Sequence, residues 1–449
     1  MLSIFFISPL YNLNAQDHSA PSPLKELLKQ ALASYPLLKS KGYEVNAAEE
    51  GVKANKRSLV PTLDASYQAD YATYNNIIGM ASTSSLIPIS GPPSTTNNYS
   101  GVFGSSASLV LNWQPITFGQ RDAQVEYSKS GFARSSADSR NEIFQHQVKV
   151  INAYLESLTS LELVKVYEKN LLRAETNLKV IKSLVINGIK PGVDTAMYKA
   201  EISVAKIDLL NFRKYMQQKQ IILSQYVAAD QPVMVSDSSY FNRLPCFSLT
   251  SDSVRHPLLD LFGSDIDLTK AKLKMLNKTM LPTLGFWGTT YTRGSGIHYD
   301  GVRNSSDGLS FQRYNYGVGL QISFPLLQSV RIHPRLKQQE LLIKSDEEKL
   351  MDISLQLKKQ LEMADSELNS ALAAAKENPV LVESSIFSYK TVLSRYQAGL
   401  VNYSDLIQAQ YLLLKAESEN KTAYVNAWKA LLLKAAVKGD LNLFLNQVN

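Results

Sequence analysis

The chain is written twice. LVPTLDASYQADY (59 to 71) recurs as MLPTLGFWGTTYT (280 to 292), SASLVLNWQPITFGQ (106 to 120) as YGVGLQISFPLLQSV (316 to 330), and NGIKPGVDTAMYKAE (187 to 201) as AGLVNYSDLIQAQYL (398 to 412). An offset of about 210 residues pairs Pro115 with Pro325, Gly188 with Gly399 and Asp194 with Asp405. Any fold must therefore be built from two copies of one plan. In each copy that plan runs helix, strand, loop, strand, long helix, tight turn, helix.

The strands declare themselves by period two, because successive side chains of an extended chain point to opposite faces. Over about 62–72, Leu63, Ala65, Tyr67, Ala69 and Tyr71 oppose Thr62, Asp64, Ser66, Gln68 and Asp70. Over 106–114, Ala107, Leu109, Leu111 and Trp113 oppose Ser106, Ser108, Asn112 and Gln114, with Val110 breaking the polar face. A fourth strand at 316–324 sets Tyr316, Val318, Leu320, Ile322 and Phe324 against Gly317, Gly319, Gln321 and Ser323. The third, 283–292, alternates poorly. The segments 73 to 105 and 293 to 314, rich in Ser, Asn, Gly and Thr, read as surface loops.

After Pro115 and Pro325 the period becomes helical. Phe144, Val148, Ile151, Leu155 and Leu158, then Leu171, Ala174, Leu178, Ile181 and Val185, follow the alternating steps of four and three that make a coiled-coil seam. The long helices are expected at 119–187 and 331–398, each about 100 Å at 1.5 Å per residue, deeper than a compact domain. Pro379 lacks a backbone donor, so a kink or local unwinding is expected there. Shorter helices are expected at 22–58, 193–230, 264–279 and 402–438. The expected organisation is a signal peptide (1–15), a first repeat (16–230), an equatorial side region (231–263), a second repeat (264–438) and a C-terminal tail (439–449).

The opening MLSIFFISPLYNLNAQ is a short apolar run ending in a small residue, Ala15, and reads as a secretory signal with the mature chain starting near Gln16. No later stretch has the ~18 consecutive apolar residues of a transmembrane helix, so a membrane would be entered by strands. The single Cys246 excludes an intrachain disulfide. The net charge of +7 is scattered among acidic residues along helices rather than gathered in a basic run, which argues against nucleic acid. The five histidines stand apart, and no HExxH, GxSxG or GxxxxGK[ST] occurs, so neither enzyme nor cofactor is expected. Charged residues at 19% and 23 tyrosines suit a chain that shows apolar surface to something other than water.

Four strands are too few to close a membrane barrel, and open edges are not tolerated in lipid. A barrel would have to be shared between chains, with polar and apolar faces toward lumen and lipid. A soluble β-sandwich with a helical appendage would show the same alternation.

With these features the sequence resembles the TolC-like outer-membrane efflux proteins, the outer membrane factors. The resemblance rests on the duplicated halves, the passages NWQPITFGQ and ISFPLLQSV, and the turns NGIKPGVDT and QAGLVNYSDLIQAQ. It implies a mixed α and β fold: a transmembrane β-barrel with four strands per chain and 12 in a homotrimer, continued by a long periplasmic α-helical coiled-coil barrel. It implies an outer-membrane location in a Gram-negative bacterium, outer-membrane lipid around the strands, a periplasmic adaptor protein and an inner-membrane pump of RND, ABC or MFS type. No residue is expected to bind metal or cofactor. The exported cargo is not named by the resemblance.

By resemblance, the hairpin tips at Gly188, Gly192, Gly399 and Val401 form the adaptor contact, and Asp194, Tyr396 and Asp405 form the periplasmic gate. Asp405 matches the carboxylate ring, while Asp194 and Tyr396 match positions that hold neighbouring hairpins together when closed. Val401 departs from the family, which sometimes places a basic lock residue two past the tip glycine. Physically, the two glycines read as left-handed C-caps, and both aspartates have an equally simple reading as helix N-terminal residues. The competing function is a non-conducting envelope scaffold or adhesin with the coiled coil as spacer.

Overall fold

A computed structural model describes residues 24–73, 75, 95–246 and 255–447. The proposed signal peptide and most of the first inter-strand loop lie outside these residues. The elements run α1 (Leu24–Ser34), α2 (Pro36–Arg57), β1 (Thr62–Ala72), β2 (Val102–Ile116), α3 (Gln120–Ile186), α4 (Gly192–Val227), α5 (Ser239–Asn242), α6 (Pro257–Lys278), β3 (Thr283–Ser295), β4 (Arg313–Ser323), α7 (Gln328–Gln397), α8 (Tyr403–Lys438) and α9 (Asn442–Leu445). Helix, two strands and two long helices thus occur in the same order in both halves.

Several expected boundaries move, each for a local reason. The helix expected at 22–58 divides at Tyr35, since Pro36 disfavours helical backbone at the residue before it. The helix expected at 264–279 starts earlier, because Pro257 opens α6, where its missing N–H costs nothing. His256 caps that start, its Nδ1 accepting from the Leu258 N–H at 3.0 Å. β2 runs from Val102, and its register shifts between Trp113 and Ile116, where Pro115 cannot donate to the ladder. The expected unwinding at Pro379 does not occur: α7 is continuous over 70 residues. The proline forfeits one backbone hydrogen bond of a long helix, and next to it Asn378 donates its side-chain amide to Ala374 O at 2.8 Å. The tail contains the short helix α9.

Two compact units divide the chain. One comprises residues 46–133 and 265–346 and holds the sheet, an antiparallel meander in the order β1-β2-β3-β4 that leaves β1 and β4 as edges. One face aligns Leu63, Leu111, Gly288 and Val318 in a row, and the next rows add Leu109, Tyr316 and Leu320. The other aligns Thr62, Asn112, Trp287 and Gly319, and Ser66, Ser108, Tyr291 and Asn315. The weak alternation of β3 has its cause here. Trp287 lies on the polar face above Gly317 and Gly319, where a Cβ at 319 would meet the indole at 2.6 Å. Every residue of β1 is exposed, and Val318 and Leu320 of β4 are 83% and 65% exposed. Among the described residues, these two edge strands stay largely open.

The other unit comprises residues 1–45, 134–264 and 347–449. Here most of the seam expected from periodicity is buried: Ile151, Leu155 and Ala174 are fully enclosed and Ile181 nearly so, while Val148, Leu171, Leu178 and Val185 are half-buried. One core gathers α1, the middle of α3, and α8 around Trp428, whose ring meets Tyr240 and Phe444 edge-on. The Trp428 indole N–H is shared between Tyr240 O and Arg243 O at 3.2 and 3.1 Å, which ties the side region to α8. A second core collects Ile181, Tyr198, Tyr389, Tyr396, Leu406 and Leu413 near the helical turns.

Candidate gate at the helical hairpin tips

Both long helices end in the same way. Gly188 and Gly399 take left-handed backbone, φ +73° and +79°. The Gly188 and Ile189 N–H groups bond back to Val185 and Leu184 O, and those of Gly399 and Leu400 to Tyr396 and Arg395 O. These paired bonds satisfy the terminal carbonyls of each helix. A Cβ at either glycine would meet nothing within 4 Å, so backbone conformation alone demands glycine. Gly192 opens α4 in open space with no special φ, after the extended Pro191.

The two aspartates related by the repeat do different things. Asp405 caps α8: Asn402 Oδ1 accepts from the Asp405 N–H at 3.1 Å, and Asp405 Oδ2 accepts from the Asn402 N–H at 3.2 Å. This reciprocal pair is a capping box, and the Asp405 side chain stays exposed. Asp194 makes no cap. Its residue is 7% exposed, and its Oδ2 accepts a 2.6 Å hydrogen bond from the fully buried Tyr396 hydroxyl. A bond this short to a carboxylate is charge-assisted, and it joins the start of α4 to the end of α7. Burial, then the Asp194 carboxylate, drives the Tyr396 pKa well above its ordinary 10.0. Tyr403 nearby is pushed up to about 12 by burial and by Glu201 and Asp194. Both phenols are therefore donors at neutral pH.

Lys190 completes the cluster, and the sequence reading had passed over it. Its Nζ donates to Val401 O at 2.9 Å and stands 4.3 Å from the centre of the Tyr396 ring. Lys190 lies two past Gly188, as Val401 lies two past Gly399. The basic residue missing at one tip is present at the other and reaches across.

Further up the helices a buried polar knot, also unforeseen, joins all four. Asn177 of α3 donates to the Tyr198 hydroxyl of α4 at 2.9 Å, the Tyr389 hydroxyl of α7 at 2.8 Å and Gln410 Oε1 of α8 at 3.2 Å. Tyr198 OH donates to Gln410 Oε1 at 3.0 Å, and Tyr389 OH to Asn177 Oδ1 at 3.1 Å. The mutually exclusive proton placements share one network, so its members hold one register. Above it Glu417 of α8, almost buried, accepts from Lys169 and Arg173 of α3 at 2.8 and 2.6 Å. Among the described residues, no group of three or more His, Cys, Asp or Glu side chains is arranged to hold a metal, and no helix is long and apolar enough to cross a membrane.

These features define a class before any comparison: long paired helices closed by polar locks, and a sheet with no cover of its own. Residues 27–229 match the family model described as outer membrane efflux protein. A search of curated proteins finds no match. Among solved structures, the outer membrane protein VceC of Vibrio cholerae superposes with a TM-score of 0.71 at 15% identity, over 94% of this chain and 99% of that one. The outer membrane channel CmeC of Campylobacter jejuni gives 0.71 at 13% identity, over 98% and 94%. The open state of the outer membrane channel MtrE of Neisseria gonorrhoeae gives 0.71 at 15% identity, over 93% and 89%. At these identities the superpositions establish the fold. The resemblance to the TolC-like outer-membrane efflux proteins thus holds in sequence over residues 27–229 and in fold over most of the chain. The matched model is, by its description, one of outer-membrane proteins.

Proposed function

We propose that the chain is one protomer of a homotrimeric export duct, the exit channel of a tripartite efflux or type I secretion system. Its sheet supplies four of twelve strands of a barrel in the outer membrane, and its helices supply a third of a periplasmic tunnel. The observation that carries this reading is the uncovered sheet. One face is apolar, the other polar, and both edge strands offer unpaired backbone groups, which lipid tolerates only in a closed barrel. On α4 the exposed apolar residues Val193, Met197, Val204 and Ile207 give a helical surface suited to neighbouring copies.

The duct is a passive conduit without enzymatic chemistry, energised by an inner-membrane pump through a periplasmic adaptor that docks at the tips around Gly188, Gly192, Gly399 and Val401. The Asp194–Tyr396 bond and the Lys190–Val401 bridge hold the hairpins of one chain together and resist opening. Asp405, exposed at the start of α8, supplies one carboxylate per copy to a ring at the entrance. Planar-bilayer recording tests the reading: discrete single-channel steps are expected from the purified protein, whereas silence under conditions that keep it folded would favour the scaffold alternative.

A further inference from the structure

The polar face of the sheet carries an unusual pair. Arg293 of β3 and Arg313 of β4 are direct register partners, so two guanidinium groups stand opposite one another on neighbouring strands. Like charges placed this way destabilise a sheet unless something of opposite sign lies between them. Their row continues through Ser106 to Gln68, and the adjacent row presents Tyr291, Ser66, Ser108 and Asn315. Both arginines are exposed. Arg293 leans over the Tyr291 ring at 5.7 Å, and Arg313 Nη1 donates to the neighbouring Gln312 O at 3.0 Å, leaving most of their donors free. Among the described residues neither has a carboxylate partner. The carboxylates that β1 contributes to this face, Asp64 and Asp70, lie two strands from Arg293 and four and two residues out of its row, so their backbones are more than about 10 Å away at ordinary strand spacing.

The pair also sits at a defined place. It closes the end of the β3–β4 hairpin where the connecting segment is itself well tied: Arg303 Nη1 donates to Ser100 O at 2.9 Å, and Gly296 N–H to Phe103 O at 2.9 Å. The strands are thus fixed where the two guanidinium groups project, and the site is preorganised.

We propose that Arg293 and Arg313 form an oxyanion-binding station on the polar face of the sheet, which attracts cargo bearing phosphate, sulfate or several carboxylates. The inference rests on the shared-barrel reading, in which this face lines the lumen and three copies place six guanidinium groups around the mouth. Arginine presents paired N–H donors that match the oxygens of such groups, and a ring of fixed positive charge in a confined lumen concentrates multivalent anions. The station is opposite in sign to the Asp405 ring proposed at the entrance.

The test is current through the purified protein in planar bilayers of phosphatidylcholine alone, with inorganic pyrophosphate added on the side of the strand-connecting loops. Block of the wild type is expected, with R293Q/R313Q needing about tenfold more pyrophosphate and R293K/R313K staying within about threefold of wild type. Unchanged block in R293Q/R313Q channels would overturn the proposal while leaving the barrel intact. Loss of trimers in R293Q/R313Q, restored by no change in pyrophosphate, would make the pair a structural contact between copies and overturn it too. Absence of any wild-type current would instead sink the barrel reading itself.

Discussion

The hairpin tips and the sheet solve opposite problems. At the tips a single chain pairs polar groups with its own: Tyr396 bonds Asp194, Lys190 bonds Val401 O, and Asn177 ties four helices through two tyrosines and Gln410. The sheet satisfies chiefly the backbone between its strands. Among the described residues its two edge strands and much of each face remain open. A region complete within the chain can hold a conformation and release it, which is what a gate requires. Under the proposed barrel, the incomplete region is completed by other copies and by lipid.

The comparison breaks most readily where burial is deepest. Trp428→Ala removes a ring 2% exposed and should lower stability by about 3–5 kcal/mol, read as a fall in the urea midpoint of the helical circular dichroism. A lesser effect is expected from Leu320→Arg, at a position 65% exposed in the single chain. In water this change would be close to neutral. On a lipid-facing strand near mid-bilayer it should cost about 2–4 kcal/mol, seen as failed barrel assembly with helical content retained.

The tips should respond by about 1–3 kcal/mol. Tyr396→Phe leaves the buried Asp194 carboxylate without its donor, and single-channel conductance should rise with trimer assembly unchanged. Unaltered conductance would demote the contact to helix packing.

Acid offers a gentler probe of the same helical unit. Burial acts to raise the Glu156 pKa, but Lys219 and Lys429 outweigh it, and the net position lies below the ordinary 4.5. A depressed carboxylate stabilises the fold above its unfolded pKa, and this is lost as pH falls through the folded value. The urea midpoint should therefore stay level from pH 7 to about pH 5 and decline below 4.5. The smallest effect on stability, about 0.5–1 kcal/mol, is expected for Asp405→Asn, since the residue is an exposed cap. Its channel should nonetheless lose part of its cation selectivity. Full selectivity in the variant would leave Asp405 with its capping role alone.

What the sequence made legible was whatever repeats or alternates. The long helices, the strands β1 and β4, and the two tip glycines all follow from period or from duplication. The poor alternation of β3 was an accurate signal without a visible cause, because the glycines that receive Trp287 belong to another strand. Asp194 and Asp405 looked equivalent, yet Asn402 stands ready to cap beside one and Pro191, with no capping side chain, beside the other. Lys190 and Asn177 escaped notice for a different reason. Neither disturbs the hydrophobic period, and their partners lie more than 200 residues away in most of these bonds. Only the duplication, aligning Lys190 with Val401, carried a hint.

The central claim, that the sheet is one share of a barrel closed by other copies, is tested most directly by the mass of the detergent-extracted protein. Light scattering corrected for bound detergent should give three copies of the mature chain, each lighter than the 49.9 kDa of the full sequence by the removed signal peptide. A stable, folded monomer would contradict the account, because four strands with open edges cannot complete a membrane barrel alone.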